Sequence, residues 1–165
     1  MQQKTLVSWL KAIIIVFALL LGVLLFLVVP TIGRRAVINT PAASFLFWPC
    51  LVVIWVLGAL VYLMLVEAWK VCGRIGQGRP FCGENAKSFV YIAQYALIDC
   101  GILFAGNIVY AAVSEWNGLG VYPMEVPIFS LLLIFIGLAV AVAAVTLSHL
   151  IYKASDMDEE NRLTI

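Results

Sequence analysis

Charged residues are scarce in this chain of 165 amino acids. Ten lysines and arginines and nine aspartates and glutamates make up 12% of it, whereas about a quarter of a soluble domain is charged. Hydrophobic residues make up 64%, and the mean hydropathy is +1.08. This composition leaves too little polar surface to face water and indicates a single membrane domain, residues 1–165. The net charge of +1 argues against nucleic acid as a direct partner, because binding phosphates needs a basic face.

Residues that bind metals or catalyse reactions are equally sparse. There is one histidine, and the four cysteines, Cys50, Cys72, Cys82 and Cys100, contain no CxxC pair. We therefore expect no metal site and no cofactor, and we interpret the cysteines as small buried hydrophobic residues. No nucleophile elbow, phosphate loop, HExxH motif or paired-carboxylate pattern occurs. We predict no catalytic residues, and hence that the protein is not an enzyme.

What the chain does contain is four long apolar stretches. A helix needs about 20 mostly apolar residues to cross the hydrocarbon core of a bilayer. The stretches that meet this length span residues 12–29, 45–66, 89–113 and 126–152. They predict an all-α membrane protein with a bundle of four transmembrane helices.

The distribution of lysine and arginine predicts the orientation of these helices. With the amino terminus inside the cell, the cytoplasmic segments hold eight cations, Lys4, Lys11, Lys70, Arg74, Arg79, Lys87, Lys153 and Arg162. The outer loops hold only Arg34 and Arg35. Because cytoplasmic loops of membrane proteins are enriched in cations, both termini are predicted to be cytoplasmic. A cytoplasmic hinge then spans residues 70–88 and a cytoplasmic tail residues 153–165.

The hinge contains the most polar internal stretch, GRPFCGENAKS, at residues 78–88. Its glycines are expected to end the second transmembrane helix. Pro80 disfavours a helical backbone conformation at Arg79, the residue before it. A new helix is predicted to start near Cys82. Glu84 in its first turn suits the positive end of the helix dipole.

Asp99 is the only carboxylate well inside a predicted span. Burying a charge at that depth costs about 3 kcal/mol, so Asp99 marks a candidate intramembrane polar site. Tyr95, one turn before Asp99, and Asn107, two turns after it, could lie on the same side of the helix as Asp99. One interpretation is a proton or ion relay or a ligand site, and the other is a carboxyl group that hydrogen-bonds a neighbouring helix.

The fourth span contains a stripe of small residues, Gly137, Ala141, Ala144 and Ser148, at spacings of four, three and four. Small residues let transmembrane helices approach closely. The stripe predicts either packing inside the bundle or a contact with a second copy or with another membrane protein.

Two short motifs resemble a known family. The hinge residues Gly78, Pro80, Phe81, Glu84 and Asn85 precede an apolar helix, and the chain ends in EENRLTI. This combination resembles the bacterial membrane family catalogued as domain of unknown function 2975. The resemblance extends over nearly the whole chain, including the four spans, and implies a multi-pass protein of the bacterial cytoplasmic (inner) membrane.

The chain departs from the family pattern at two positions. Cys82 stands where a hydroxyl residue usually caps the helix, and Arg162 stands where the family tends to have an acid. Members of the family resemble companions of small helix-turn-helix regulators. The resemblance therefore implies a cytoplasmic regulator as a partner.

Three functions are compatible with these features. The first is a regulatory or adaptor protein that engages a cytoplasmic partner through its hinge and acidic tail. The alternatives are a small transporter, channel subunit or self-protection protein acting through Asp99, or a subunit of a larger membrane complex. The candidate docking residues are Arg79, Pro80, Phe81, Glu84, Asn85, Glu160, Asn161, Leu163, Thr164 and Ile165. The tail could also fray in water or fold back onto the cations of the hinge.

Overall fold

The computed structural model describes residues 2–39, 44–45, 47–116 and 125–163, and these residues contain no strand. Nearly all of them are helical. In chain order the elements are α1 (Gln2–Val23), a π-helical turn (Leu24–Val28), α2 (Val29–Asn39), α3 (Phe47–Gly76), α4 (Gly83–Trp116) and α5 (Glu125–Leu163).

Four helical stretches of the described chain are long and apolar enough to cross a membrane. They are Thr5–Arg35, Phe47–Gly76, Gly83–Val113 and Val126–Met157. The prediction of an all-helical protein with four helices long and apolar enough to span a membrane is confirmed for the described residues.

The helices extend beyond the predicted spans on the side of the hinge. α3 continues past residue 66 to Gly76, and α4 starts at Gly83, before the predicted span 89–113 and close to the helix start expected near Cys82. Polar residues such as glutamate, lysine and arginine are good helix formers, so the helices continue after the apolar sequence ends. The predicted span 45–66 also includes residue 46, which lies outside the described residues.

A π-helical turn interrupts the first span just before Pro30. Proline lacks an N–H group and clashes with the preceding turn of an α-helix, and a π-turn is one way to accommodate it. The N–H of Val29 donates to the carbonyl of Leu24, five residues back. The carbonyl of Leu25 is thereby free to accept a hydrogen bond from Trp55 Nε1 on α3, at 3.3 Å. The π-turn in the first span thus makes possible a tertiary hydrogen bond to α3.

α1 and the π-helical turn pack against α3 at two sites where a glycine permits close approach. The hydroxyl of Tyr62 donates to the carbonyl of Ala18 at 2.7 Å, and a Cβ at Gly22 would lie 2.9 Å from this hydroxyl. Leu25, only 5% exposed, lies over Gly58 of α3. Both contacts depend on the absence of a side chain on a glycine.

α4 and α5 form the most extensive helix pair, and small residues line their interface. Ala93 and Ala96 of α4 form a buried cluster with Ala141 and Ala144 of α5. In addition, a Cβ at Gly137 would come within 2.6 Å of Cys100 Sγ.

The stripe Gly137, Ala141, Ala144 and Ser148 therefore packs against α4 within the same chain. Ala141, Ala144 and Ser148 are buried there. Of the two predicted roles for the stripe, packing inside the bundle is the one that the structure contains. The side chains of Ala141, Ala144 and Ser148 are too deeply buried to contact a second copy.

The helices contact one another in chain order. α3 packs against α1, α4 packs against α3, and α5 packs against α4. Among the described residues, no close backbone contact joins α1 or α2 to α4 or α5. The bundle expected from the sequence is therefore open between its first and fourth spans. The small-residue faces of these two spans are already occupied, since α1 uses Ala18 and Gly22 on α3 and α5 uses its stripe on α4.

We predict that Gly58→Ala lowers the thermal stability of the protein in detergent. The added methyl group would overlap Leu25 Cδ1 and lie 2.9 Å from Cδ2, and overpacking of this kind costs about 1–3 kcal/mol. Gly73→Ala, in the same helix, is the matched control because its Cβ would meet nothing within 4 Å. This control should be neutral or stabilising by up to about 1 kcal/mol. Equal melting temperatures for the two variants would refute the contact.

Candidate functional site at the hinge

The connection between α3 and α4 is short and closely hydrogen-bonded. α3 ends in a turn in which Gly78 N–H donates to Ile75 O at 3.0 Å and Arg79 N–H donates to Arg74 O at 3.2 Å. This pair of bonds is a Schellman motif, which requires a residue with a left-handed backbone conformation directly after the end of the helix. Gly78 supplies it with φ +78°. Within the predicted hinge, residues 70–88, the non-helical part is residues 77–82.

α4 begins immediately after Cys82. The carbonyl of Cys82 accepts hydrogen bonds from the N–H groups of Asn85 and Ala86, at 2.9 Å and 3.4 Å. Glu84 places an acidic side chain in the first turn, where the helix dipole favours it. A helix start near Cys82 agrees with the expectation, even though cysteine replaces the usual hydroxyl residue.

The side chain of Asn85 holds the connection in place. Its Nδ2 donates to the carbonyls of Arg79 and Pro80, at 3.3 Å and 3.0 Å. Its Oδ1 accepts a hydrogen bond from Arg74 Nη1 at 3.3 Å. Asn85 is 0% exposed, so a docking partner cannot reach its side chain unless the hinge opens. The presence of Asn85 in the hinge motif is therefore explained by its hydrogen bonds within the hinge.

Arg74 connects the end of α3 to the first two turns of α4. Its Nε pairs with Glu84 Oε2 at 3.1 Å, and its Nη1 donates to Ser88 Oγ at 3.0 Å. Glu67 of α3 interacts electrostatically with Arg74 and Ser88, and it pairs with Lys70 at 2.6 Å. Arg74, Glu84, Asn85, Ser88 and Glu67 form what we call the hinge network.

Sequence reasoning missed Glu67 and Ser88 as members of this network. Glu67 falls one residue after the predicted span, and Ser88 one residue before the next. The available signal was the spacing of Glu67, Lys70 and Arg74, which places one acid and two bases on one side of a helix.

Other hinge residues remain accessible. Phe81 is 63% exposed, although it is a large apolar residue outside the predicted spans. Arg79 and Lys87 are also exposed, and Arg79 donates to Gln77 Oε1 at 3.2 Å. We call Arg79, Phe81 and Lys87 the hinge surface. It carries two positive charges and one apolar side chain.

α5 continues past the hinge as one helix to Leu163. Ser148 Oγ donates to the carbonyl of Ala86 at 2.9 Å, which attaches α5 to the start of α4. Residues 153–163, which we call the α5 arm, extend from this attachment. The backbone of the arm continues as a helix to Leu163 and does not turn back onto the hinge.

The predicted docking residues of the tail are only partly covered by the structure. Thr164 and Ile165 lie outside the described residues. For Glu160, Asn161 and Leu163 the structure gives the helical backbone alone. Their docking role stays a prediction.

The intramembrane candidates do not form one hydrogen-bonded site. Asn107 accepts a hydrogen bond from Ser130 of α5 at 2.8 Å and donates to Leu103 O at 2.9 Å. Tyr95 stacks on Tyr91, with ring centroids 6.5 Å apart. Asp99 Oδ1 is buried without a hydrogen-bond partner in the described chain. Asp99 is thus the one candidate of the three whose role the internal packing leaves unexplained.

The four long apolar helices and the polar hinge define a multi-pass membrane protein. Residues 31–165 match the family described as "Protein of unknown function (DUF2975)", and the chain belongs to this family. The resemblance noted in the sequence is confirmed.

The chain is also similar to "Uncharacterized membrane protein YoaS" of Bacillus subtilis (strain 168). The two are 23% identical over 155 residues, which cover 93% of each chain. No solved structure matches this chain.

We predict that Asn85→Ala destabilises the protein by about 1–3 kcal/mol, because it leaves the partly buried carbonyls of Arg79 and Pro80 without their side-chain donor and removes one acceptor of Arg74 Nη1. Thermal unfolding in detergent measures the effect. Glu84→Gln is the control, since it removes only the charge of an ion pair whose carboxylate is 65% exposed. This change should cost less than about 1 kcal/mol. If Asn85→Ala is no more harmful than Glu84→Gln, Asn85 does not hold the hinge.

Proposed function

We propose that this protein is an adaptor of the bacterial cytoplasmic (inner) membrane that holds a soluble regulator at the cytoplasmic face. The observation that carries the proposal is the attachment of α5 to the start of α4, through Ser148 and Ala86, directly before the α5 arm begins. Helical continuity of α5 then presents the acidic sequence of the arm at a defined position relative to the membrane.

The charges of this end of the protein suit a docking role. The arm contains Asp156, Asp158, Glu159 and Glu160, which anionic headgroups repel. Asp156 and Met157 are exposed. Acidic side chains attract a basic partner, and apolar side chains such as Met157 and Leu163 supply anchoring area. A helix-turn-helix regulator, the partner that the family resemblance implies, carries a basic surface for DNA.

The hinge surface supports the same proposal. Phe81 is an exposed apolar residue beside two exposed cations, and aromatic residues are enriched among the anchors of protein interfaces. Asn85 fixes the backbone on both sides of Phe81, because its side chain donates to the carbonyl of Pro80 and its backbone N–H donates to the carbonyl of Cys82. A partner would therefore meet a preorganised surface.

The adaptor role requires a cytoplasmic hinge, which the excess of cations on this side supports. We predict that an impermeant thiol reagent labels Cys82 only after cells are opened. Cys72, which the sequence places in the same segment, is only 3% exposed and should not react. Cys82→Ser is the control, and it should abolish the labelling gained on opening the cells. Labelling of Cys82 in intact cells would place the hinge outside and reject the adaptor proposal.

The arm itself is tested by deleting residues 160–165. We expect the truncated protein to insert normally, as judged by Cys82 labelling, but to lose the soluble regulator that co-purifies with the full chain in mild detergent. Asp99→Asn is the matched control, since it changes a polar group remote from the arm and should retain the regulator. A truncated protein that keeps every partner of the full chain would contradict docking through the arm.

A second candidate function is transport or self-protection within the bilayer. The observation that favours it is the buried, unpartnered Oδ1 of Asp99. The same two variants separate the candidates, because a transporter should lose function with Asp99→Asn and keep it after the truncation. A subunit of a larger complex should instead co-purify with a stoichiometric membrane protein in both variants.

A further inference from the structure

One side of α4 contacts no other helix among the residues that the structure describes. α5 covers the side that contains Ala93, Ala96 and Cys100, and α3 packs on another side. The remaining side is exposed at every turn through the span. Its residues, at alternating helical spacings of three and four, are Lys87, Val90 with Tyr91, Gln94, Leu97 with Ile98, Gly101, Ala105 and Ile108.

Gln94 is the unusual residue on this side. It lies six residues beyond Ser88, or about 9 Å deeper along the helix, within the span. Its side chain is exposed and makes no hydrogen bond within the described chain. A primary amide that faces hydrocarbon loses its hydrogen bonds to water, which is costly unless another protein group replaces them.

Gly101 and Ala105 lie on the same side, two and three turns further into the membrane. The glycines at positions 22, 58 and 137 each accommodate a neighbouring side chain. A Cβ at Gly101, in contrast, would meet nothing within 4 Å. The small size of Gly101 therefore serves no contact with the rest of the described structure. Small residues four apart permit close approach of a second helix.

We propose that a second copy of this chain covers this side of α4, so that the protein is a dimer in which the two α4 helices cross at Gly101 and Ala105. Gln94 selects this partner, because a primary amide both donates and accepts and is complementary to itself. Copies inserted in the same orientation meet about a two-fold axis normal to the membrane, which places Gln94 against Gln94.

The charged residue on this side is compatible with such a crossing. Lys87 lies 14 residues, about 21 Å, from Gly101 at the polar end of α4. Crossing helices diverge away from their contact, so the two lysines separate and remain hydrated. Asp99 lies on the opposite side of α4 and takes no part. The α5 stripe is also excluded, since α4 of the same chain already occupies it.

The dimer is tested with the full chain, labelled at the amino terminus and reconstituted in vesicles of phosphatidylethanolamine and phosphatidylglycerol. Single-molecule photobleaching counts the chains per particle over a range of protein-to-lipid ratios. We expect the wild type to form dimers. Ala105→Leu should abolish them by steric overlap, and Gln94→Leu should weaken association about threefold to tenfold, as expected for one interhelical hydrogen bond.

Ala139→Leu is the matched control because Ala139 is exposed on the side of α5 remote from α4. It should dimerise as the wild type does. Both Gln94→Leu and Ala139→Leu place an apolar residue at an exposed position, so folding is preserved, and equal melting temperatures verify this. A monomeric wild type at all densities overturns the proposal. Equal association of all variants, or loss with Ala139→Leu as large as with Ala105→Leu, overturns it as well.

Discussion

The buried side-chain amide of Asn85 is the interaction on which the polar end of the molecule depends. An amide can be excluded from water only if its donor and acceptor are both satisfied, and here the two hinge carbonyls and Arg74 satisfy them. Arg74 is then held where it pairs with Glu84 and Ser88. Since Ala86, the next residue, binds Ser148, the position of α5 depends on the same first turn of α4.

Within the membrane, close approach of backbones replaces the hydrophobic effect as the reason for packing, since lipid is as apolar as the side chains it contacts. The alanines between α4 and α5 and the glycines beneath Leu25 and Tyr62 serve this purpose. Large residues, by contrast, cover the outside. Leu19, Phe26 and Phe135 are each well exposed and suited to contact lipid.

Much of the architecture was accessible from the sequence, because membrane spans depend on composition over about 20 residues and turns depend on local glycine and proline. The four spans, the helix start near Cys82 and the close packing of small residues followed from such local signals. The bond from Trp55 to Leu25 did not, since it requires the partner opposite a π-turn. The hinge network was also missed, because Glu67 and Ser88 lie on separate helices and the topology alone brings them together. The opening between the first and fourth spans was not predicted either, because it depends on which helices pack on the small-residue faces of these two spans.

The packing of helices in chain order has a consequence for biogenesis. Because each span contacts its neighbour in the chain, the contacts have short sequence separations, and such contacts form quickly. Each helix that leaves the translocon therefore finds its packing partner already in the bilayer. The first three spans can assemble while the last is still being synthesised, and addition of α5 then completes the structure without rearranging them.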